Sequence, residues 1–329
     1  MQRSASDWYQ LGNQERDAGR REQAAECFGR AVGLDPSHAK AWNNLGAVDE
    51  MLGRGDAAQR AYRTALEKDP LLLEPYLNLA HLAASGGDRA GAERWYRAGL
   101  ERHPGEPNLE HMLRALLGET TSAPPPGHVA ALFDGMAQDF DRLLGALGYR
   151  VPEELARLAL PVLKAAPSPL AVDIGCGTGL VGAALSGSGA RVIGIDLSAG
   201  MLQQAARRGV YAELIHGELV EELGRVAPGS AHAVLAGDVF IYLGDLAAAF
   251  RSAARALSPG GVFVFSVEEI ESAPFQLQPS GRYAQSVAYI RGLAAQCGLV
   301  ERAMEPFGLR REGAGYARGR LVSFARAAP

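Results

Sequence analysis

Cysteine is scarce. The three in this 329-residue chain, Cys27, Cys176 and Cys297, are odd in number, far apart and never arranged as CxxC, so neither a disulfide framework nor a zinc site is indicated and no metal is expected. Long apolar runs are missing too. No stretch approaches the ~18 residues of a membrane span, and the opening MQRSASDWYQ has no apolar signal core. A cytoplasmic location is the expectation. Nor is there an excess of positive charge: residues 1 to 118 hold 15 basic and 17 acidic side chains and the remainder 18 and 20, so each part nets −2. That removes the electrostatic footprint of a nucleic-acid binder. Glycine, by contrast, is abundant at 40 residues, and because it loses the most backbone freedom on folding, such a number needs local reasons. The length suggests two domains, at roughly 100 to 200 residues each.

A repeat of 34 residues fills the first third. Trp8, Trp42 and Tyr76 fall in register, as do Leu11, Leu45 and Leu79, then Gly19, Gly53 and Gly87, Ala24, Ala58 and Ala92, Phe28, Tyr62 and Tyr96, and Pro36, Pro70 and Pro104. Each unit reads as two helices, with large residues on the buried stripe, a glycine turning the chain, and a proline ending the second helix because it cannot continue one. The pattern resembles the tetratricopeptide repeat over about residues 5 to 107, with NLEHMLRALLG as a capping helix; the third copy departs at Tyr76 and at Gly99, where alanine is usual. The resemblance implies an all-α superhelix whose concave face holds an extended peptide. One column on that face, Gln10, Asn44 and Asn78, bears amides that donate and accept at once and so match a peptide backbone. A solvated polar face or a docking surface for the chain's own second domain remains the alternative. Tyr9, Glu74 and Asn78 stand where carboxylate-clamping members carry cations.

The stretch GETTSAPPPGH reads as a stiff extended spacer, giving a repeat domain over 1–118, a linker over 119–127 and a second domain over 128–329. VAALFDGMAQDFDRLL shows helical spacing, as does PEELARLALPVLKAA. Seven strand candidates follow: LAVDIG, RVIGID, YAELIH, AHAVLAGD, GVFVFSVE, LVERAMEPF and GRLVSFARA. Helical stretches after Gly179, Ser198, Gly217 and Asp245 separate the first five, so the expected fold is α/β, a doubly wound, mostly parallel seven-stranded sheet with its ligand beyond the carboxyl ends of the strands.

The bend after the first strand is Asp173, Ile174, Gly175, Cys176, Gly177, Thr178, Gly179. A dinucleotide loop, GxGxxG, would need glycine where Leu180 stands. The spelling resembles the DxGxGxG motif of the class I S-adenosylmethionine (AdoMet)-dependent methyltransferases, a Rossmann-like family, and the resemblance covers about residues 128 to 329. It implies AdoMet as cofactor, lying against the glycines. Asp196, at the end of RVIGID, would accept the ribose hydroxyls, and GIDLSAGMLQQA carries Leu197 and Met201 on in the family's manner. Glu218 and Leu219 would meet the adenine amine and ring, and Asp238 follows the fourth strand; the family more often has aspartate where Glu218 stands. Read singly, Asp173 is also a strand-end turn residue and Asp196 a helix cap, and Cys176 a small loop filler. Phe133, Met136 and Phe140 on the domain's first helix either close an apolar lid over the cofactor or serve core packing. The segments ALFDGMAQDFD, SGRYAQSVAYIRGLAAQCGL and GLRREGAG resemble bacterial methyltransferases fused to tetratricopeptide repeats.

Acid–base residues are few. The tetrad [DN]PP[FY] of amino-group methyltransferases is absent, since Val239, Phe240 and Ile241 follow Asp238. His216, Tyr242, Glu268, Arg282 and Tyr283 are the candidates near the acceptor; an arginine suits an anionic acceptor, and a carboxylate acceptor would need no general base. His128 opens the lid helix and His232 begins a strand at the opposite edge. The expected function is methyl transfer to a peptide, protein or carrier-bound group docked by the repeats. A small-molecule or lipid-sugar methyltransferase whose repeats oligomerise, and a repeat scaffold that only senses AdoMet, are the alternatives.

Overall fold

A computed structural model describes residues 3–125, 127–312 and 315–327. The chain divides into two compact units, Met1–Leu117 and Gly118–Pro329.

The first unit is helical: α1 (Ala5–Asp17), α2 (Arg21–Leu34), α3 (Ala39–Met51), α4 (Gly55–Lys68), α5 (Glu74–Ser85), α6 (Arg89–Arg102) and α7 (Pro107–Leu117). Ser4 begins it with a capping box, its side chain accepting from the Asp7 amide while Asp7 accepts from the Ser4 amide. The ring column expected from the repeat is buried, with Phe28, Tyr62 and Tyr96 at most 1% exposed. Burial of each such ring contributes on the order of 1.5–3 kcal/mol. Gly99, the departure in the third copy, has a packing reason: a Cβ there would stand 2.8 Å from Leu109 Cδ1 on α7, so its absence seats the capping helix.

The second unit opens with α8 (His128–Met136), α9 (Phe140–Ala146) and α10 (Val151–Ala165). The apolar spacing from Val129 to Leu143 suggests one helix, yet the chain turns between α8 and α9. Asp134 and Asp141, one on each side of the turn, are anchored to different loops of the sheet. Then come β1 (Leu170–Ile174), α11 (Leu180–Ala184), β2 (Arg191–Asp196), α12 (Ala199–Arg208), β3 (Glu213–His216), α13 (Leu219–Arg225), β4 (Ala231–Ala236), α14 (Ala247–Ala256), β5 (Leu257–Ile270), β6 (Phe275–Leu277), β7 (Tyr283–Ser286), α15 (Val287–Gln296), β8 (Leu299–Glu312) and β9 (Gly315–Arg326).

The main path of the sheet runs β3-β2-β1-β4-β5-β7-β6, with β9 antiparallel to β5 and β8 to β9. The five strands β1 to β5 are parallel, which leaves the helices on both faces. One face buries the ring cluster Phe240, Phe250, Phe263, Phe265 and Phe324; the other buries α10 through Leu155, Ala159 and Leu163. Nine strands therefore stand among the described residues where seven were expected. The additional pair, β6 and β7, has three and four residues, too short and too polar to carry an alternation signal.

The start of the stretch read as a stiff extended spacer is hydrogen-bonded within the second unit. Ser122 O accepts from the Gly244 and Asp245 amides at 3.1 and 2.8 Å, Thr121 Oγ1 meets Tyr283 Oη at 2.6 Å, and the Leu277 amide donates to Thr120 Oγ1 at 3.3 Å. Proline keeps the segment extended, but an extended backbone still has carbonyls to satisfy, and here the β4–α14 loop satisfies them.

Candidate active site

The carboxyl ends of β1, β2 and β4 open onto a cavity of about 540 Å³. Gly175 and Gly177 form its floor, with φ of 64° and 54°, the left-handed region that favours glycine. At Gly175 a Cβ would also lie 2.4 Å from Val239 Cγ2; at Gly177 it would meet only Phe140 Cε1, at 3.9 Å, so the backbone there faces open space. Asp196 ties two loops together. Its Oδ2 accepts from the Gly177 amide at 2.7 Å and its Oδ1 from the Ser198 amide at 2.8 Å. Burial raises its pKa, against those backbone donors, which lower it.

Of the residues expected to hold a cofactor, Gly175, Cys176, Gly177, Asp196, Leu197, Glu218, Leu219, Asp238, Phe133 and Phe140 line this cavity. Glu218 also caps α13, its Oε2 accepting from the Glu221 amide at 2.9 Å. Asp173, Gly179 and Met201 do not line it. Asp173 is wholly buried beneath the loop, where its Oδ2 accepts from Tyr211 Oη at 2.6 Å, and desolvation pushes its pKa up to about 7 although the tyrosine pulls the other way. Gly179 caps α11 and packs near Tyr211, and Met201 is buried on α12. Burial pushes the Cys176 thiol far up, which suits a loop filler rather than a nucleophile.

Of the acid–base candidates, Tyr242 and Arg282 line the cavity. His216 points its Nε2 at Leu197 O, 3.0 Å away, and Tyr283 is buried at the Thr121 contact. Glu268 is engaged by Arg310. His232 Nδ1 accepts from the Leu170 amide at 3.2 Å, at the amino end of the sheet, and His128 is buried at the start of α8.

The polar end is organised around Asp238, the one non-glycine residue among those described with positive φ, at 53°. Ser266 Oγ accepts from its amide at 2.8 Å and donates to its Oδ1 at 2.7 Å, while Arg310 Nη1 approaches Oδ2 at 3.4 Å. Burial raises the Asp238 pKa; Ser266 and the two arginines, Arg310 and Arg282, lower it. Tyr242 is raised by burial and lowered by Arg282. Sequence reasoning missed Arg310, whose side chain is 6% exposed. It follows buried Leu309 at a register irregularity between Gly308 and Arg311, so no in–out alternation marks it as inward.

The apolar end is roofed by Phe133, Met136, Phe140, Leu143, Leu144 and Leu147 together with Pro124 and Pro125. The Phe133 ring packs edge-on against Tyr242, centroids 5.1 Å apart, and against Phe140 at 5.8 Å. Two aspartates that sequence reasoning passed over latch this roof. Asp134 accepts from Ser198 Oγ and from the Gly200 amide at 3.0 Å, and Asp141 from Thr178 Oγ1 and Arg208. Their only sequence signal was their place in FDGMAQDFD.

In the repeat unit the amides are joined to one another. Asn44 Nδ2 donates to Asn13 Oδ1 at 2.9 Å, Asn43 Nδ2 to Asn44 Oδ1 at 3.3 Å and Asn78 Nδ2 to Asn43 Oδ1 at 3.0 Å. The connected series is thus Asn13, Asn44, Asn43 and Asn78, and exposed Gln10 stands outside it. No helix among the described residues is long and apolar enough to cross a membrane, and no group of three or more His, Cys, Asp or Glu among them is placed to hold a metal.

A parallel sheet with a side-chain-free bend after β1 and a carboxylate closing β2 defines a nucleoside-binding α/β domain. Residues 172–265 match the family model described as a methyltransferase domain, and residues 9–54 and 50–107 match the tetratricopeptide repeat. The demethylmenaquinone methyltransferase of Corynebacterium kroppenstedtii is 31% identical over 148 residues, 44% of this chain and 62% of that protein. The ubiquinone biosynthesis O-methyltransferase of Xanthomonas campestris is 31% identical over 129 residues, 38% of this chain and 52% of that one. Methyltransferase-like protein 27 of Homo sapiens is 42% identical over 88 residues, 25% and 34% of the two chains. The chain spans between about one third and two thirds of the length of these relatives. It carries tetratricopeptide repeats ahead of a methyltransferase domain.

Proposed function

We propose that the protein transfers the methyl group of AdoMet to an acceptor that enters the apolar end of the 540 Å³ cavity and is carried on a peptide, protein or carrier docked by the repeats. The observation that carries the reading is Asp196, whose carboxylate is held at the cavity by the Gly177 and Ser198 amides. The residues present fit the cofactor: an open glycine backbone at Gly177, a carboxylate for ribose hydroxyls, Leu197 and Leu219 for a flat ring, and Glu218 for an amine. When bound, AdoMet supplies an electrophilic methyl carbon on a sulfonium. The chain's own residues then have to exclude water and hold the acceptor in line, and positioning of that kind accounts for as much as ~7 to 11 kcal/mol of barrier lowering. Phe133, Met136 and Phe140 supply the dry roof, and low polarity favours a step in which charge is neutralised.

Docking by the repeats rests on their architecture, which offers a concave surface, and on the gain in local concentration when a binding module is fused to a catalyst. The apolar roof favours one second reading, a small apolar acceptor taken directly from solution. Calorimetry with S-adenosylhomocysteine tests the cofactor. One-to-one binding to the full chain is expected, falling at least tenfold in Asp196→Ala; absence of binding refutes the proposal. The acceptor KM separates the two readings: it rises on removal of residues 1–117 if the repeats dock the acceptor and stays put if they do not.

A further inference from the structure

The polar end of the cavity contains a cation with no counter-charge in contact. Arg282 lines the cavity, half-buried, with no carboxylate within 4.0 Å among the described residues. Its neighbour Arg310 is, by contrast, held by both Asp238 and Glu268. Arg282 is also fixed from both sides. Its carbonyl accepts from the Gln278 amide at 2.7 Å across the β6–β7 turn, and the next residue, Tyr283, is pinned to Thr121. A guanidinium placed on a rigid hairpin at the wall of a chamber with an apolar roof suits a planar anion, because its forked N–H groups match a carboxylate.

The same cavity offers no uncommitted base. Asp196 is spent on two loop amides, Glu218 caps α13, and Asp238 is engaged at Oδ1 by Ser266 and at Oδ2 by Arg310. His216 does not line the cavity, and burial holds Tyr149, Tyr242 and Cys176 in their neutral forms. An alcohol, phenol or ammonium acceptor must lose a proton to react; a carboxylate need not. Resting on the methyltransferase reading above, we infer that the acceptor is a carboxylate on an apolar body, bound by Arg282 and converted to its methyl ester. One carboxylate oxygen forms the new C–O bond with the methyl carbon as the C–S bond breaks and leaves its electron pair on sulfur. Anion and sulfonium become a neutral ester and S-adenosylhomocysteine, and no proton moves. Arg282 binds the oxygen that does not attack, and the apolar roof favours the loss of both charges.

The test incubates the full chain with methyl-labelled AdoMet and fractionated small-molecule and protein extracts, then treats the labelled product with mild alkali. A methyl ester releases its label as volatile methanol, whereas O-ether, N-methyl and C-methyl products keep it. The expected result is alkali-labile label, at least tenfold less of it with Arg282→Gln and partial recovery with Arg282→Lys, while calorimetric affinity for S-adenosylhomocysteine stays within twofold in both variants. Alkali-stable label overturns the inference and leaves the methyltransferase reading intact. So does an Arg282→Gln variant that labels as well as the parent. No binding of S-adenosylhomocysteine by the parent chain overturns the reading beneath it, and absence of any label despite such binding overturns catalysis and the inference together.

Discussion

Burial of Asp173 is expected to make the stability of the second unit depend on pH near neutrality. It is fully buried under the glycine bend with the Tyr211 hydroxyl as its donor, and burial pushes its carboxyl up to about 7 from an ordinary 3.8. That interval corresponds to about 4 kcal/mol between the two protonation states. The sign follows from linkage. Because the folded value is raised, the neutral acid favours folding fully below the unfolded value, and this contribution is lost as pH rises through about 7. Of the total, roughly 2 to 3 kcal/mol is lost between pH 5 and pH 8 by the same linkage relation.

Asp173→Asn isolates this effect, since an amide is close in shape, still accepts from Tyr211 and never ionises. The variant is expected to match or slightly trail the parent at pH 5 and to exceed it by about 2 to 3 kcal/mol at pH 8. The assay has to see the right unit. All three tryptophans, Trp8, Trp42 and Trp95, belong to the repeats, so tryptophan fluorescence reports that unit alone and serves as the control. Urea-dependent hydrogen exchange of peptides covering β1 and β4 reports the other. Parallel profiles for parent and variant from pH 5 to pH 8 would refute the reasoning.

Arg310→Met leaves Asp238 and Glu268 together without their shared cation in a side-chain environment 14% exposed. The expected loss is about 3 to 5 kcal/mol at pH 7, shrinking in acid as Asp238, raised by burial, protonates, and a loss below about 1 kcal/mol by urea unfolding would remove the argument. Asp134→Ala with Asp141→Ala frees the roof helices α8 and α9 from Ser198, Gly200, Thr178 and Arg208. Both aspartates are exposed, so each contact is worth only up to about 1 kcal/mol. Dissociation of S-adenosylhomocysteine in stopped flow is expected to quicken several-fold, and an unchanged off-rate would show that the roof does not need its latches.

The repeats were legible because a period of 34 imposes six columns in register, and no tertiary information is needed to see a period. The bend at Gly175 and Gly177 was legible for a related reason: two positive-φ positions in three residues are a backbone requirement written directly into residue type. What stayed hidden depends on distant partners. The Thr120–Ser122 segment reads as extended from its composition, but only the fold shows that Gly244, Asp245, Tyr283 and Leu277 receive it. The amide column Gln10, Asn44 and Asn78 is visible in the sequence, but that Asn13 and Asn43 are the neighbours bonded to Asn44 and Asn78 shows only in the fold. Asp173 belongs to the right motif, yet burial assigns it to holding the loop from beneath.

Asp238 shows how such hidden partners act on one another. A non-glycine residue in the left-handed region is strained by about 1 kcal/mol or more, and it persists only where its surroundings over-determine it. Here they come from separate strands: Ser266 on β5 engages both the amide and the carboxylate, and Arg310 on β8 holds the second oxygen while binding Glu268, also on β5. The Asp238 carboxylate is thereby committed to Ser266 and Arg310 and is no free base, while Arg282, beside Tyr242, has no carboxylate in contact at the cavity wall. The sequence places Asp238 after β4 but is silent on this, since each local element is ordinary and the constraint exists only once β4, β5 and β8 lie in one sheet.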